Sequence, residues 1–319
     1  MAAAIETHEL SKDFLTGFWR PRPYRALDRL TLSVAPGEVF GFLGPNGAGK
    51  STTLKLLMQL LYPTSGSASI LGRPAGDSVV KQRIGFLPEN PYFYDHLTAE
   101  ELLTYFARLF GLRGADVAAR VARVLDEVGL GAERRLRLRQ YSKGMVQRVG
   151  LAQAILNEPE VVFLDEPMSG LDPLGRRHVR QLILGLRDRG CTVFFSSHIL
   201  SDAETLCSRV GIVAQGRLVA SGRLSEILAF ELRGWEVVVA NLSDALRERL
   251  RSRARSFTPL AQERYMIELP PDARPEQFLH DLGAGGAEVV SLNPLRETLE
   301  DYFVQSVSAV ASRQTGLEP

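Results

Sequence analysis

The segment GPNGAGKS, Gly44 to Ser51, constrains this chain more than any other. It follows the apolar run EVFGFLG and precedes a helical pattern over Ser51–Leu61 with leucines at 54, 56, 57, 60 and 61. Strand, glycine loop and helix in that order satisfy the G-x-x-x-x-G-K-[ST] pattern in the context that gives it meaning. Glycines 44, 47 and 49 let the backbone curl until successive N–H groups converge on an anion, where side chains would obstruct it. Pro45, Asn46, Ala48 and Thr52 complete the cradle, and the helix start contributes its positive dipole end. Lys50 then reaches the β- and γ-phosphates of a triphosphate, and the Ser51 hydroxyl ligates a divalent cation. The rival reading is a glycine-rich turn with no ligand.

A second signal is VVFLDEP, residues 161–167. An apolar strand that delivers Asp165 at its C-terminal end places a carboxylate where it holds Mg²⁺ through water. Glu166 follows at once, and adjacent strand-end carboxylates suggest divided labour, the second polarising an attacking water. Alone, this would be a strand ending in an acidic turn; downstream of the phosphate loop it acquires a purpose.

The rest of the chain organises around these two. Residues 27–43 read as strand material broken by a turn at Pro36-Gly37. Residues 97–129 turn helical, with one face made by Leu102, Leu103, Phe106, Leu109 and Phe110 and another by Val117, Val121, Val124 and Leu125. Ser142–Leu156 and Arg176–Arg189 are further helices, and short apolar runs return at 191–198 and 209–215. The expected fold is α/β: a P-loop sheet core over residues 1–230 with a helical subdomain at about 90–157 inserted into it. Past residue 230 the order strand–helix–strand–strand–helix–strand, with an added final helix, predicts a small α+β domain of split βαβ type over 231–319.

Composition closes several doors. The 38 basic and 37 acidic side chains leave a net charge of +1, so a whole-chain nucleic-acid footprint is absent. Cys191 and Cys207 have neither metal nor disulfide spacing, which makes a reducing cytoplasm the default. The start lacks a signal-peptide pattern, and no apolar run approaches the ~18 residues that span a bilayer. If the protein works at a membrane, another chain crosses it.

GPNGAGKS, YSKGMVQR (141–148), VVFLDEP, SGLD (169–172) and SSH (196–198), in this order, resemble an ATPase subunit of an ABC transporter over roughly residues 5–230. YSKGM and GPNGAGKSTT are most similar to subunits of ABC-2-type exporters of drugs, antibiotics and polysaccharides, some of which carry a small C-terminal appendage. The resemblance implies ATP and Mg²⁺ as ligands, a homodimer of ATPase subunits, and a separate transmembrane permease. It implies a cytoplasmic protein peripheral on the inner face of the membrane, without nucleic acid. YSKGM stands where the family has LSGGQ, so Ser142, Lys143, Gly144 and Met145 are implied to meet the γ-phosphate of ATP held by the opposite subunit. Ser142 and Gly144 match that pattern. Lys143 adds attraction, Met145 removes a polar contact, and a plain helix cap at Ser142 is the bland alternative.

By the same resemblance His198 is the switch histidine, Asp172 belongs to the dimer-contact loop, and Glu89 takes a metal-ligand position where the family generally has glutamine. Asp172-Pro173 also reads as a simple helix opening, and Glu89 as a solvated loop acid. Phe14 occupies the position that stacks on adenine, with Phe18, Trp19 and Tyr24 as neighbours. Tyr92, Phe93, Tyr94 and Phe110 either line a groove for the permease or pack the subdomain core. The arginine-rich aromatic stretch at 18–25 reads as an extended hairpin, with lipid headgroups a second possibility.

The catalytic expectation is therefore Lys50, Glu166 and His198. A soluble ABC ATPase acting on nucleic acid or ribosomes is the competing class; one cassette, no heptad run and near-zero charge speak against it. A silent ATP-binder is disfavoured because Lys50, Asp165, Glu166 and His198 are all present. The C-terminal domain carries no catalytic constellation and suits dimer stabilisation or regulation.

Overall fold

The computed structural model describes residues 3–17, 19, 21–227, 232–251, 254–261, 263–296, 299 and 302. Phe18, the expected domain junction at 230–231 and the final helix expected beyond residue 296 lie outside the described residues. The chain forms two compact units, one up to Leu224 and one over Ser225–Tyr302.

The first unit opens with a long antiparallel hairpin, β1 (Ile5–Thr16) and β2 (Arg22–Val34). β3 (Val39–Leu43) then leads into the glycine loop and α1 (Lys50–Leu57). β4 (Ser65–Ile70), β5 (Arg73–Pro74), α2 (Ser78–Gln82) and β6 (Ile84–Leu87) follow. The helical insertion comprises α3 (Ala99–Leu109), α4 (Ala115–Glu127) and α5 (Lys143–Ile155). The chain returns to the core as β7 (Val161–Asp165), α6 (Pro173–Asp188), β8 (Thr192–Ser197), α7 (Leu200–Leu206), β9 (Arg209–Ala214) and β10 (Arg217–Arg223).

A six-stranded sheet in the order β10-β9-β3-β8-β7-β6, parallel except for β10, carries the core. A smaller antiparallel sheet, β2-β1-β4-β5, flanks it. The parallel strands are buried on both faces, which is why VFGFL and VVFLD read as unbroken apolar runs. Phe194 on β8 sits at the centre, its ring 5.6 Å from that of Phe40, 5.4 Å from Phe42 and 5.9 Å from Phe163. Leu54 and Leu57 bring α1 onto the same cluster. Each such side chain contributes about 1.5–3 kcal/mol on burial, so the three strands that carry the chemistry are held by a shared aromatic cluster.

Three helix boundaries differ from expectation. α1 stops at Leu57, four residues early, because Gln59 adopts φ +52° and the Leu60 N–H bonds back to the Lys55 carbonyl. This is a Schellman ending without the glycine that usually announces it. The 97–129 pattern resolves into two helices, separated where Gly111 and Gly114 both take positive φ. α6 begins at Pro173 rather than Arg176, since Asp172 accepts the Gly175 N–H at 2.6 Å and caps the helix there.

The chain passes from the first unit to the second at the start of α8 (Leu224–Ile227). The second unit contains β11 (Leu232–Ala240), α9 (Asp244–Arg251), β12 (Ser256–Pro259), β13 (Arg264–Leu269), α10 (Pro275–Ala284) and β14 (Glu288–Arg296). Its sheet order is β12-β13-β11-β14, with every pair antiparallel. That is the split βαβ arrangement. Val237, Val239, Ile267 and Leu269 from the sheet pack with Leu246, Leu250, Phe278 and Leu282 from the helices.

Candidate functional site

The register of the parallel sheet assembles the site. Leu43 pairs with Ser197, Asp165 with Ser196, and Leu87 with Leu164. The glycine loop, the 165–166 carboxylates, His198 and Glu89 therefore emerge from one C-terminal edge of the sheet, where open α/β folds bind ligands.

They surround one cleft of about 510 Å³, lined by Phe14, Tyr24, Pro45, Asn46, Gly47, Gly49, Lys50, Ser51, Thr52, Glu89, Glu166, Ser169 and His198, with Ala26 at its wall. Gly44 and Ala48 stand behind the loop. A Cβ on Gly44 would come within 2.3 Å of the Val213 carbonyl, so only glycine lets the loop pass β9. Gly47 has φ +80° with open space where a Cβ would sit, and Gly49 has φ +105° against the Ala26 carbonyl. The loop is thus a backbone cradle whose concave side is left free, as a phosphate tail requires.

Glu166 is buried at the mouth of this cleft. Its Oε2 lies 2.8 Å from Nδ1 of His198, and its Oε1 3.1 Å from Nζ of Lys50. Lys50 also donates to the carbonyls of Gly44 at 2.7 Å and Pro45 at 3.2 Å. The Glu166 backbone has φ +49°, a left-handed conformation costing ~1 kcal/mol or more for a residue with a side chain. Ser196 holds it there: its hydroxyl accepts the Glu166 N–H at 3.0 Å and donates to Asp165 Oδ1 at 2.6 Å. Asp165 itself is buried and does not line the cleft.

The residues of the YSKGM segment lie elsewhere. Ser142 caps α5 by accepting the Met145 N–H at 3.3 Å, while Ser142, Lys143, Gly144 and Asp172 line a separate cleft of about 420 Å³. This second cleft shares no lining residue with the first, and Met145 lines neither. One chain therefore presents two separate clefts.

The residues that sequence reasoning left without a role are Ser196, Ser169, Gln147 and Asp202, while Tyr24, named only as a neighbour of Phe14, joins it in the cleft lining. Gln147, fully buried on α5, reaches the Pro167 carbonyl at 3.5 Å and ties the helix of the second cleft to the turn after Glu166. Asp202 is buried in the first turn of α7, 3.4 Å from Arg180 on α6. Burial pushes its carboxyl above the usual range, opposed by Arg180 and Arg176. Ser169 in SGLD and Ser196 in SSH lay within motifs already singled out, but the hydroxyl contacts of Ser196 depend on strand register.

A phosphate cradle after β3, with paired carboxylates at the end of β7 on the far side of β8, defines a P-loop nucleoside triphosphatase. The ABC transporter family profile matches residues 27–169. An uncharacterised ABC transporter ATP-binding protein of Synechocystis is 45% identical over 309 residues, covering 96% of this chain and 85% of the relative. The bacitracin transport ATP-binding protein BcrA of Bacillus licheniformis is 33% identical over 96% of this chain and 98% of its own length. A dimeric ATP-binding cassette solved in a post-hydrolysis state with ADP and Pi superposes with a TM-score of 0.63 at 26% identity, covering 69% of this chain and 98% of that one. The chain belongs to the family of ABC transporter ATP-binding proteins, and it is an ATPase of that class.

Proposed function

We propose that this chain hydrolyses ATP–Mg²⁺ within a head-to-tail dimer of two copies and drives a separate membrane-spanning permease that exports antibiotic-type compounds. The observation that carries this reading is the placement of Glu166 between His198 and Lys50 at the mouth of the glycine cradle. The full-length likeness to a bacitracin transport ATP-binding protein supports a transport role with antibiotic-type cargo. Among the described residues no helix is long and apolar enough to cross a membrane, which is consistent with a partner that does.

In this reading the cradle N–H groups and Lys50 bind the phosphate tail, and Phe14 or Tyr24 stacks on the base. Ser142, Lys143 and Gly144 of a second copy complete the site, which explains why each chain holds two half-clefts. Among the described residues no three His, Cys, Asp or Glu side chains gather to hold a metal alone. Ser51 and Glu89 line the cleft, and with the Asp165 carboxylate and phosphate oxygens they would form the sparse donor set that suits Mg²⁺. Bound there, Mg²⁺ offsets charge on the transferring phosphoryl group. Glu166 accepts a proton from the attacking water, His198 keeps that carboxylate aimed, and Lys50 offsets charge on the phosphate.

The test is Glu166→Gln. ATP binding and ATP-dependent dimerisation, read by light scattering, persist while phosphate release falls by about 100-fold or more. Near-normal turnover removes Glu166 from the base role, and a chain that stays monomeric with ATP bound overturns the dimer.

A further inference from the structure

We propose that the tip of the β1–β2 hairpin docks on an anionic phospholipid surface, through Leu15 and Trp19 flanked by Arg22. The hairpin extends past the rung the nucleotide cleft uses. Phe14 pairs with Tyr24 and both line the cleft, yet the ladder continues through Leu15–Pro23 to Thr16–Arg22. Strand alternation turns Leu15 to the face opposite Phe14.

Leu15 is 77% exposed and Trp19 90%, so neither side chain serves the core. Two large apolar side chains exposed at one hairpin tip form a patch of the kind that marks a membrane or protein interaction site.

Charge selects that surface. Residues 14–27 contain Arg20, Arg22 and Arg25 and no acid. The flanking acids are already engaged: Arg25 pairs with Asp13 at 2.9 Å and with Asp28 at 3.1 Å, and Arg217 holds Asp28 at 2.7 Å. Arg22 makes no ion pair among the described residues and stays exposed. Tryptophan and leucine beside arginines, with no acid, is the composition that partitions into a headgroup layer.

The alternative occupant, a protein adding a strand, meets an obstacle. β2 is the edge of its sheet, but Pro21 and Pro23 remove backbone donors at the tip. Membership of a transporter family brings a membrane within reach, whatever the cargo.

The experiment uses the full chain carrying Trp235→Phe, so that Trp19 is the only tryptophan. It is mixed, without nucleotide, with phosphatidylcholine vesicles or with vesicles one quarter phosphatidylglycerol. Trp19 emission shifts to the blue with the anionic vesicles, and binding exceeds that to neutral ones by about fivefold for each participating arginine. Added salt reduces the difference. Leu15→Ser with Trp19→Ser abolishes binding while ATP turnover in solution stays unchanged. Equal binding to both vesicles, no blue shift, or retention of binding in the double variant overturns the proposal. So does binding that appears only when permease is reconstituted into the vesicles, which would make the tip a protein contact. None of these outcomes depends on the ATPase mechanism.

Discussion

The His198 imidazole stands 2.8 Å from the Glu166 carboxylate through its Nδ1 atom. A carboxylate only accepts, so the imidazole carries its proton on Nδ1 and leaves Nε2 toward the cleft. Two strand ends thus meet through side chains, β8 contributing the histidine and β7 the acid. Removing the imidazole leaves Glu166 with Lys50 alone, a partner that draws the carboxylate toward the phosphate loop. His198→Ala is expected to lower phosphate release by about 100-fold while ATP affinity stays within a few-fold. Turnover close to wild type would show that Glu166 needs no second anchor.

Ser196 is the less obvious support. It is fully buried, and its hydroxyl satisfies both Asp165 and the strained Glu166 backbone. Ser196→Ala strands a buried carboxylate oxygen and a buried N–H together. The expected loss is about 2 kcal/mol, or ~4–8 °C in Tm for a domain of this size. Turnover should fall as well, because the φ +49° conformation loses its tether. Thermal melts and steady-state assays on one preparation check both; an unchanged Tm would mean that water replaces the hydroxyl at no cost.

Much of this site was legible because its chemistry is local. The glycine loop, Asp165, Glu166 and His198 each sit at the end of an apolar run, and runs buried on both faces announce parallel strands. What the sequence hid were relations set by register and by backbone sign. Nothing in FFSSH says that the first serine, not the second, pairs with Asp165 on the adjacent β7. Nothing at Gln59 marks a left-handed helix ending, since glycine is the usual sign. Asp172 illustrates a further limit. Its Asp-Pro dipeptide predicts the cap it makes, while its place beside Ser142 and Lys143 comes from packing between distant segments. The two half-clefts were anticipated only through family likeness; composition and periodicity say nothing of which face meets a second copy.

The two cysteines offer a probe of core integrity. Cys191 and Cys207 are both buried, and burial pushes the Cys191 thiol up to about 12 and raises that of Cys207. The thiolate is the reactive form, so neither should react with a disulfide reagent at mildly alkaline pH while the chain is folded. Both should react once denaturant unfolds it. Rapid labelling of either thiol in the native protein would contradict the packing around β8 and β9.

Acid stability should register the ion pairs of Glu158 and Glu160. Arg123 and Arg120 clamp Glu158, and Arg83 clamps Glu160 at 2.5 Å. The hydrogen bond from Arg123 holds the Glu158 carboxyl below the usual range, and that from Arg83 does the same for Glu160. A carboxylate with a depressed folded-state pKa stabilises fully above its unfolded value of 4.5. That stabilisation is lost as pH falls through the folded value. The Glu158 and Glu160 side chains are 55% and 52% exposed. Solvent screening therefore keeps each contribution under about 1 kcal/mol. Glu158→Gln should lower Tm at neutral pH by no more than about 2–4 °C. The melting curves of variant and wild type should converge as pH drops below the carboxylate range. A gap that persists in acid would mean that Glu158 acts through packing rather than through charge.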